Sequence, residues 1–179
     1  MAGASSKSFV VALCAVLSCG SAWAAPSEYE VKAAFIYNIA KFVEWPAVAS
    51  PVSGRARLCL LGDDPSGGAF EVLQGKPVGA ANWEVVRVDG GGSLKECRVL
   101  FIAASERANL GRILARIEGR PVLTVGDTEG YAGQGVIVNF YQEENKVRFE
   151  INRDAAGRAG LAISSQLLKL ARIVSGAEK

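Results

Sequence analysis

Cys59 and Cys97 carry the clearest chemistry in the body of this 179-residue chain; the other two cysteines, Cys14 and Cys19, lie in an apolar N-terminal run. In an oxidising compartment an even pair predicts a disulfide between Cys59 and Cys97. The other reading is two buried thiols that serve as small core hydrophobes. Histidine is absent. That removes histidine-dependent nucleophilic catalysis and histidine metal sites. There is no G-x-G-x-x-G loop after the first strand and no Walker A loop, so no nucleotide-phosphate cradle of those kinds is expected. Asp63 and Asp64 follow an apolar run, where paired acids could hold Mg²⁺ as in receiver-like folds; equally, they cap a turn before Pro65. Gly90-Gly91-Gly92-Ser93 could cradle a phosphate, or form a flexible loop. Arg148 and Glu150 share one face of a strand and could bind an anionic ligand or simply pair at the surface. The stretch YNIAKFVEWP offers Tyr37, Lys41 and Trp45 as a recognition edge, since Tyr and Trp are enriched at interface hot spots. Trp45 beside Pro46 could instead close the core.

These residues need elements to position them. Residues 26–45 predict a helix, with Val31, Phe35, Ile39 and Phe42 on one apolar face widened by Ala34 and Val43. Ser27 is its expected N-cap, Glu28 and Glu30 suit its first turn, and Pro46 stops it. Phe35, Ile39 and Phe42 are therefore expected in the core. Glu30, Tyr37, Lys41 and Glu44 fall on the other side. Strands are expected at 57–62, 83–88, 99–103 and 121–126, with a weak helix at 68–73, a helical turn at 94–97 and a helix at 105–118. This alternation predicts an α/β fold, a mostly parallel doubly wound sheet flanked by helices. Residues 135–141 and 146–152 then read as an appended antiparallel hairpin. Val147, Phe149 and Ile151 form one face of it, and Arg148, Glu150 and Asn152 the other. Asp154 should cap a short helix that ends at Gly160, and Ser164 or Ser165 a last helix with Leu167, Leu168, Leu170, Ala171 and Val174 on its apolar side. With strand order 2-1-3-4 the first and third strands are neighbours, which brings Cys59 and Cys97 together.

The N-terminus reads as a targeting segment. Lys7 precedes an apolar run at 9–19 that is too short to span a bilayer, and Ala22-Trp23-Ala24 forms a cleavage box. Residues 1–24 are therefore expected to be a signal peptide and residues 25–179 a single domain. A lipoprotein box ending at Cys19 is the minor alternative. Loss of Lys7 leaves 19 basic against 18 acidic side chains. That balance gives no electrostatic case for nucleic acid or acidic lipid.

The segments YEVKAAFIYNIAKFVEWP, LCLLGDDP, CRVLFIA, VLTVGD and VRFEINRDAAGRAGLAISSQLLKLA together resemble the YfiR family (DUF4154) of bacterial periplasmic proteins. The resemblance runs from Tyr29 to about Val174. It implies a non-enzymatic periplasmic regulator that represses a membrane-bound diguanylate cyclase by contacting its periplasmic domain, lowering cyclic di-GMP and biofilm formation. It also implies redox control through disulfides, and Cys59 and Cys97 match the family's cysteine positions. Some members look to have a second pair near the hairpin; residues 135–152 here contain no cysteine. No cofactor or metal is implied. Independently of the resemblance, the last helix and the hairpin edge are the two places where a homodimer could form. The alternative is a periplasmic small-molecule sensor or binding module that serves another signalling protein.

Overall fold

The computed structural model describes residues 25–47 and 54–175. The expected signal peptide, including Cys19, lies outside the described residues. Helix α1 (Glu28–Ile39) begins at a capping box: the Glu30 N–H donates to Ser27 Oγ, and the Ser27 N–H donates to Glu30 Oε2 at 2.6 Å. Two otherwise orphaned donors are satisfied reciprocally. Ser27→Ala is expected to cost about 1 kcal/mol in urea unfolding; an unchanged midpoint would show that packing alone starts the helix.

The helix is shorter than expected. It tightens into a 3₁₀ turn at Ala40–Phe42 and then becomes strand β1 (Val43–Glu44). β1 pairs antiparallel with β9 (Ala162–Ile163). That long-range pairing draws the chain out of helical geometry before Pro46 can. The buried side of α1 is also rotated from the expected one. Lys32, Ala33, Ile36 and Ile39 face inward, whereas Phe35 is half-buried and Ala34 exposed. Phe42, expected in the core, is 38% exposed, because the change of path at Ala40 swings it off the helical face.

The main sheet comprises β2 (Arg55–Leu61), β3 (Pro77–Val78), β4 (Ala81–Val88), β5 (Cys97–Ile102), β6 (Leu123–Gly126), β7 (Val138–Glu143), β8 (Lys146–Asn152) and β10 (Arg172–Val174). Its order is β10-β8-β7-β6-β5-β2-β4-β3. The β4-β2-β5-β6 segment is the expected 2-1-3-4 arrangement, parallel throughout. β7 continues it in parallel, and β8 returns antiparallel as the expected hairpin. Its turn is Glu144-Asn145, both with positive φ, of 49° and 58°. Two such residues form the mirror-image turn whose twist matches the strands.

Two hydrophobic layers cover the sheet. α1 and the 3₁₀ turn Ala69–Leu73 pack over Leu58, Leu60, Val99, Phe101, Val138, Phe140 and Ile151. On the other face α2 (Leu110–Arg116) packs over Leu61, Leu100 and Ile102. α2 is preceded by a 3₁₀ turn, Ala104–Asn109, where a continuous helix from residue 105 was expected.

The C-terminal part differs further from expectation. α3 (Arg153–Arg158) is capped by Asn152, whose side chain accepts from the Ala155 N–H at 2.8 Å; Asp154 lies inside the helix. α4 (Ser165–Leu168), capped by Ser164, is a single turn. The chain then runs as β10, parallel to β8 at the sheet edge. Leu170, expected on an apolar helix face, is 75% exposed. The exposed edge of β8 offers unpaired backbone groups, and pairing with them outweighs the weak helical propensity of a four-residue turn.

Cys59 and Cys97 form a disulfide, Cα–Cα 5.7 Å. A bulge makes this possible. Arg57 pairs with Cys97 but Leu58 pairs with Val99, so Arg98 is an extra residue in β5. Strand side chains alternate between faces, and an inserted residue inverts that alternation. Cys97 therefore shares the α2 face with Cys59 and Leu100. A regular strand would have put it on the α1 face.

Candidate functional site

The bulge does a second thing: it re-aims Arg98. Its guanidinium lies over the Trp45 ring, 4.2 Å from the centroid. Burial pushes the Arg98 pKa down from its usual value. Trp45 is half-buried against the α1-side core, and its Nε1 is enclosed with no acceptor among the described residues. Part of the ring closes the core and part is stacked under a cation. Eight residues earlier, Tyr37 is also half-buried and carries two ammonium groups. Lys41 Nζ lies 3.8 Å from the ring centroid and Lys76 Nζ 5.9 Å. Helical spacing brings Lys41 over Tyr37 from one turn further on. Lys76 arrives from the turn before β3, packed beside α1. Cation–π pairs of this kind contribute about 0.5–1 kcal/mol when exposed. The three expected recognition residues, Tyr37, Lys41 and Trp45, thus lie along the end of α1 and β1. Sequence reasoning missed Lys76 and Arg98, which come from distant segments.

The two hairpin residues are not brought together. Arg148 is exposed and pairs with Glu143, Nε to Oε2 3.7 Å. Glu150 is buried, at 6% exposure. It accepts from Asn139 Nδ2 at 3.1 Å and from Arg172 Nε at 3.1 Å. The Arg172 pKa is raised, first by its hydrogen bond to Glu150. Arg172 also stacks on Tyr141, 4.1 Å from its centroid. An Arg148–Glu150 surface pair is therefore corrected to a pair between buried Glu150 and exposed Arg172. Arg172 was invisible as a partner because residue 172 was expected on a helix.

The carboxyl edge of the sheet, where α/β folds commonly bind ligands, is occupied by the protein itself. Between β2 and β5 the Asp63 N–H donates to Ser105 Oγ at 2.9 Å. A Cβ at Gly62 would lie 2.5 Å from that oxygen, so the crevice is filled. Asp64 accepts from the Ser66 N–H and from Arg87 Nη2, each at 2.8 Å. Burial opposes its ionisation, but these hydrogen bonds prevail and its pKa is lowered. That is the capping role, with an ion pair added. At the end of β6, Asp127 Oδ2 receives Lys32 Nζ at 2.7 Å and the Tyr29 hydroxyl at 2.9 Å. The Lys32 and Asp127 side chains are 5% and 6% exposed. Burial, then the Asp127 charge and hydrogen bond, push the Tyr29 pKa up. Lys32 also meets Glu28 at 2.6 Å. This cluster clamps the start of α1 to the sheet.

The glycine loop is tied down as well: Arg116 Nη1 donates to Gly90 O at 2.6 Å and Arg116 Nη2 to Gly92 O. A groove of about 660 Å³ opens between α2 and α3, floored by Val122, Thr124 and Ile137 and rimmed by Glu118 and Arg158. Arg148 and Glu150 do not line it. Among the described residues no helix is long and apolar enough to cross a membrane. No curated protein matches the chain. A family model described as YfiR/HmsC-like (DUF4154) matches residues 29–172.

Proposed function

The chain belongs to the YfiR/HmsC-like family, and from that premise we propose that it is a periplasmic regulator in cyclic di-GMP signalling. In this reading it is exported by its N-terminal segment and binds the periplasmic domain of an inner-membrane diguanylate cyclase. Binding represses the cyclase, lowers cyclic di-GMP and disfavours biofilm. The observation that carries the reading is the family match over residues 29–172, from α1 to the first residue of β10. The aromatic–cation face of Tyr37, Lys41 and Trp45 supports it as the contact surface, because half-buried aromatic rings at the surface are typical hot-spot groups.

Deleting the gene in the source bacterium is the functional test. A rise in intracellular cyclic di-GMP, reversed on restoring the gene, is expected. Unchanged levels would detach the protein from cyclase control. At the contact itself, Trp45→Ala with Lys41→Glu is expected to weaken binding to the cyclase domain about tenfold or more while the domain stays folded. Full affinity in the folded double variant would move the contact elsewhere. Small-molecule sensing is the second reading, and the groove between α2 and α3 gives it a volume.

A further inference from the structure

We infer that the Tyr37 face accepts an acidic stretch of its protein partner, with carboxylates seated on Lys41 and Lys76. This rests on the reading of that face as the contact surface. Two ammonium groups from separate elements converge on one tyrosine ring. Lys41 also donates to Asn38 Oδ1 at 3.4 Å. Neither lysine forms an ion pair with any carboxylate among the described residues. Lys32, Arg57, Arg87 and Arg172, by contrast, each hold an acid. Like charges gathered on one ring without a counter-anion form a complementary seat for negative charge. The ring is half-buried and holds Lys41 Nζ at 3.8 Å, with Asn38 as a second tether, so less freedom is lost there when an anion docks.

The chemistry favours protein carboxylates over a lipid surface. Anionic membranes recruit clusters of about four to eight basic residues. Here there are two lysines on the ring, and Glu44, three residues after Lys41, is exposed. A planar negative surface would meet that carboxylate, whereas a peptide can steer its acids around it.

The test titrates the exported chain, disulfide intact, with end-blocked hexaglutamate, with hexaglutamine as control, and with phosphatidylglycerol vesicles. NMR signals of Tyr37, Lys41 and Lys76 are followed. Hexaglutamate is expected to shift all three. K41Q/K76Q should weaken it about fivefold, the effect of two exposed charge pairs. Tyr37→Phe should keep binding and Tyr37→Leu should weaken it, by less than the loss of both lysines. Equal binding of hexaglutamine, or binding of vesicles alone, overturns the inference. The cyclase periplasmic domain is measured in parallel to separate the two ideas. If that domain ignores K41Q/K76Q but is lost with W45A, the contact face stands and the acidic-partner inference falls. If hexaglutamate binds this face and the cyclase domain does not bind the wild-type chain, the acidic preference stands and the cyclase reading falls.

Discussion

Replacing Cys59 and Cys97 together by alanine is expected to lower unfolding free energy by up to about 4 kcal/mol. The bond joins residues 38 apart, and closing a loop of that length removes this much chain entropy from the unfolded state. The position adds to the argument. Cys59 lies in β2 and Cys97 at the start of β5, two central strands of the sheet. Their side chains are buried beside Leu61 and Leu100. The loop they close contains β3 and β4, one whole edge of the sheet. Urea unfolding of the wild-type and double-alanine chains, each with and without reductant, measures it. Reductant should lower the wild-type midpoint and leave that of the variant in place. A wild-type midpoint indifferent to reductant would mean that the bond contributes nothing to the folded state.

Asp127→Asn is expected to cost about 3 kcal/mol or more, an effect far larger than that of any surface ion pair in this domain. Lys32 and Asp127 are both almost fully enclosed. Removing one member of a buried pair leaves the other charge desolvated and uncompensated. Glu28, at 38% side-chain exposure, relieves Lys32 only in part. Tyr29 also loses the negative charge its hydroxyl now faces. Replacing both residues by apolar ones of similar size, Lys32→Met with Asp127→Leu, should recover most of the loss, because the desolvation penalty goes with the charges. Urea unfolding of the two single variants and the double gives the coupling energy. Additive losses would show that the two charges do not act as a pair. By contrast, Arg148–Glu143 is exposed on both sides, and breaking it should change little.

Much of the scaffold was legible from local pattern. Ser27 as N-cap, with Glu28 and Glu30 in the first turn, marked the start of α1. The apolar runs containing Leu58, Leu100 and Val125 marked central strands, since strands buried on both faces need side chains that satisfy both layers. Alternation in 146–152 marked β8 and its inward face, Val147, Phe149 and Ile151. The two cysteines and the 2-1-3-4 order supported one another. Tyr37, Lys41 and Trp45 were legible as chemically unusual residues at the end of a helix.

What the sequence could not determine were the features that depend on distant partners. Nothing in the local pattern marked Lys32 as buried, because its acid lies 95 residues away. Glu150 read as a surface residue until Arg172 and Asn139 closed over it. Val43-Glu44 and Arg172–Val174 had helical neighbours, but each found an open strand edge to pair with. A backbone ladder formed across the fold outweighs the few tenths of a kcal/mol per residue that separate helix propensities. One extra residue at Arg98 set the faces of both the disulfide and the Trp45 stack. Alternation in sequence says only that neighbours point apart; which face each one meets is decided by register, and register exists only between strands.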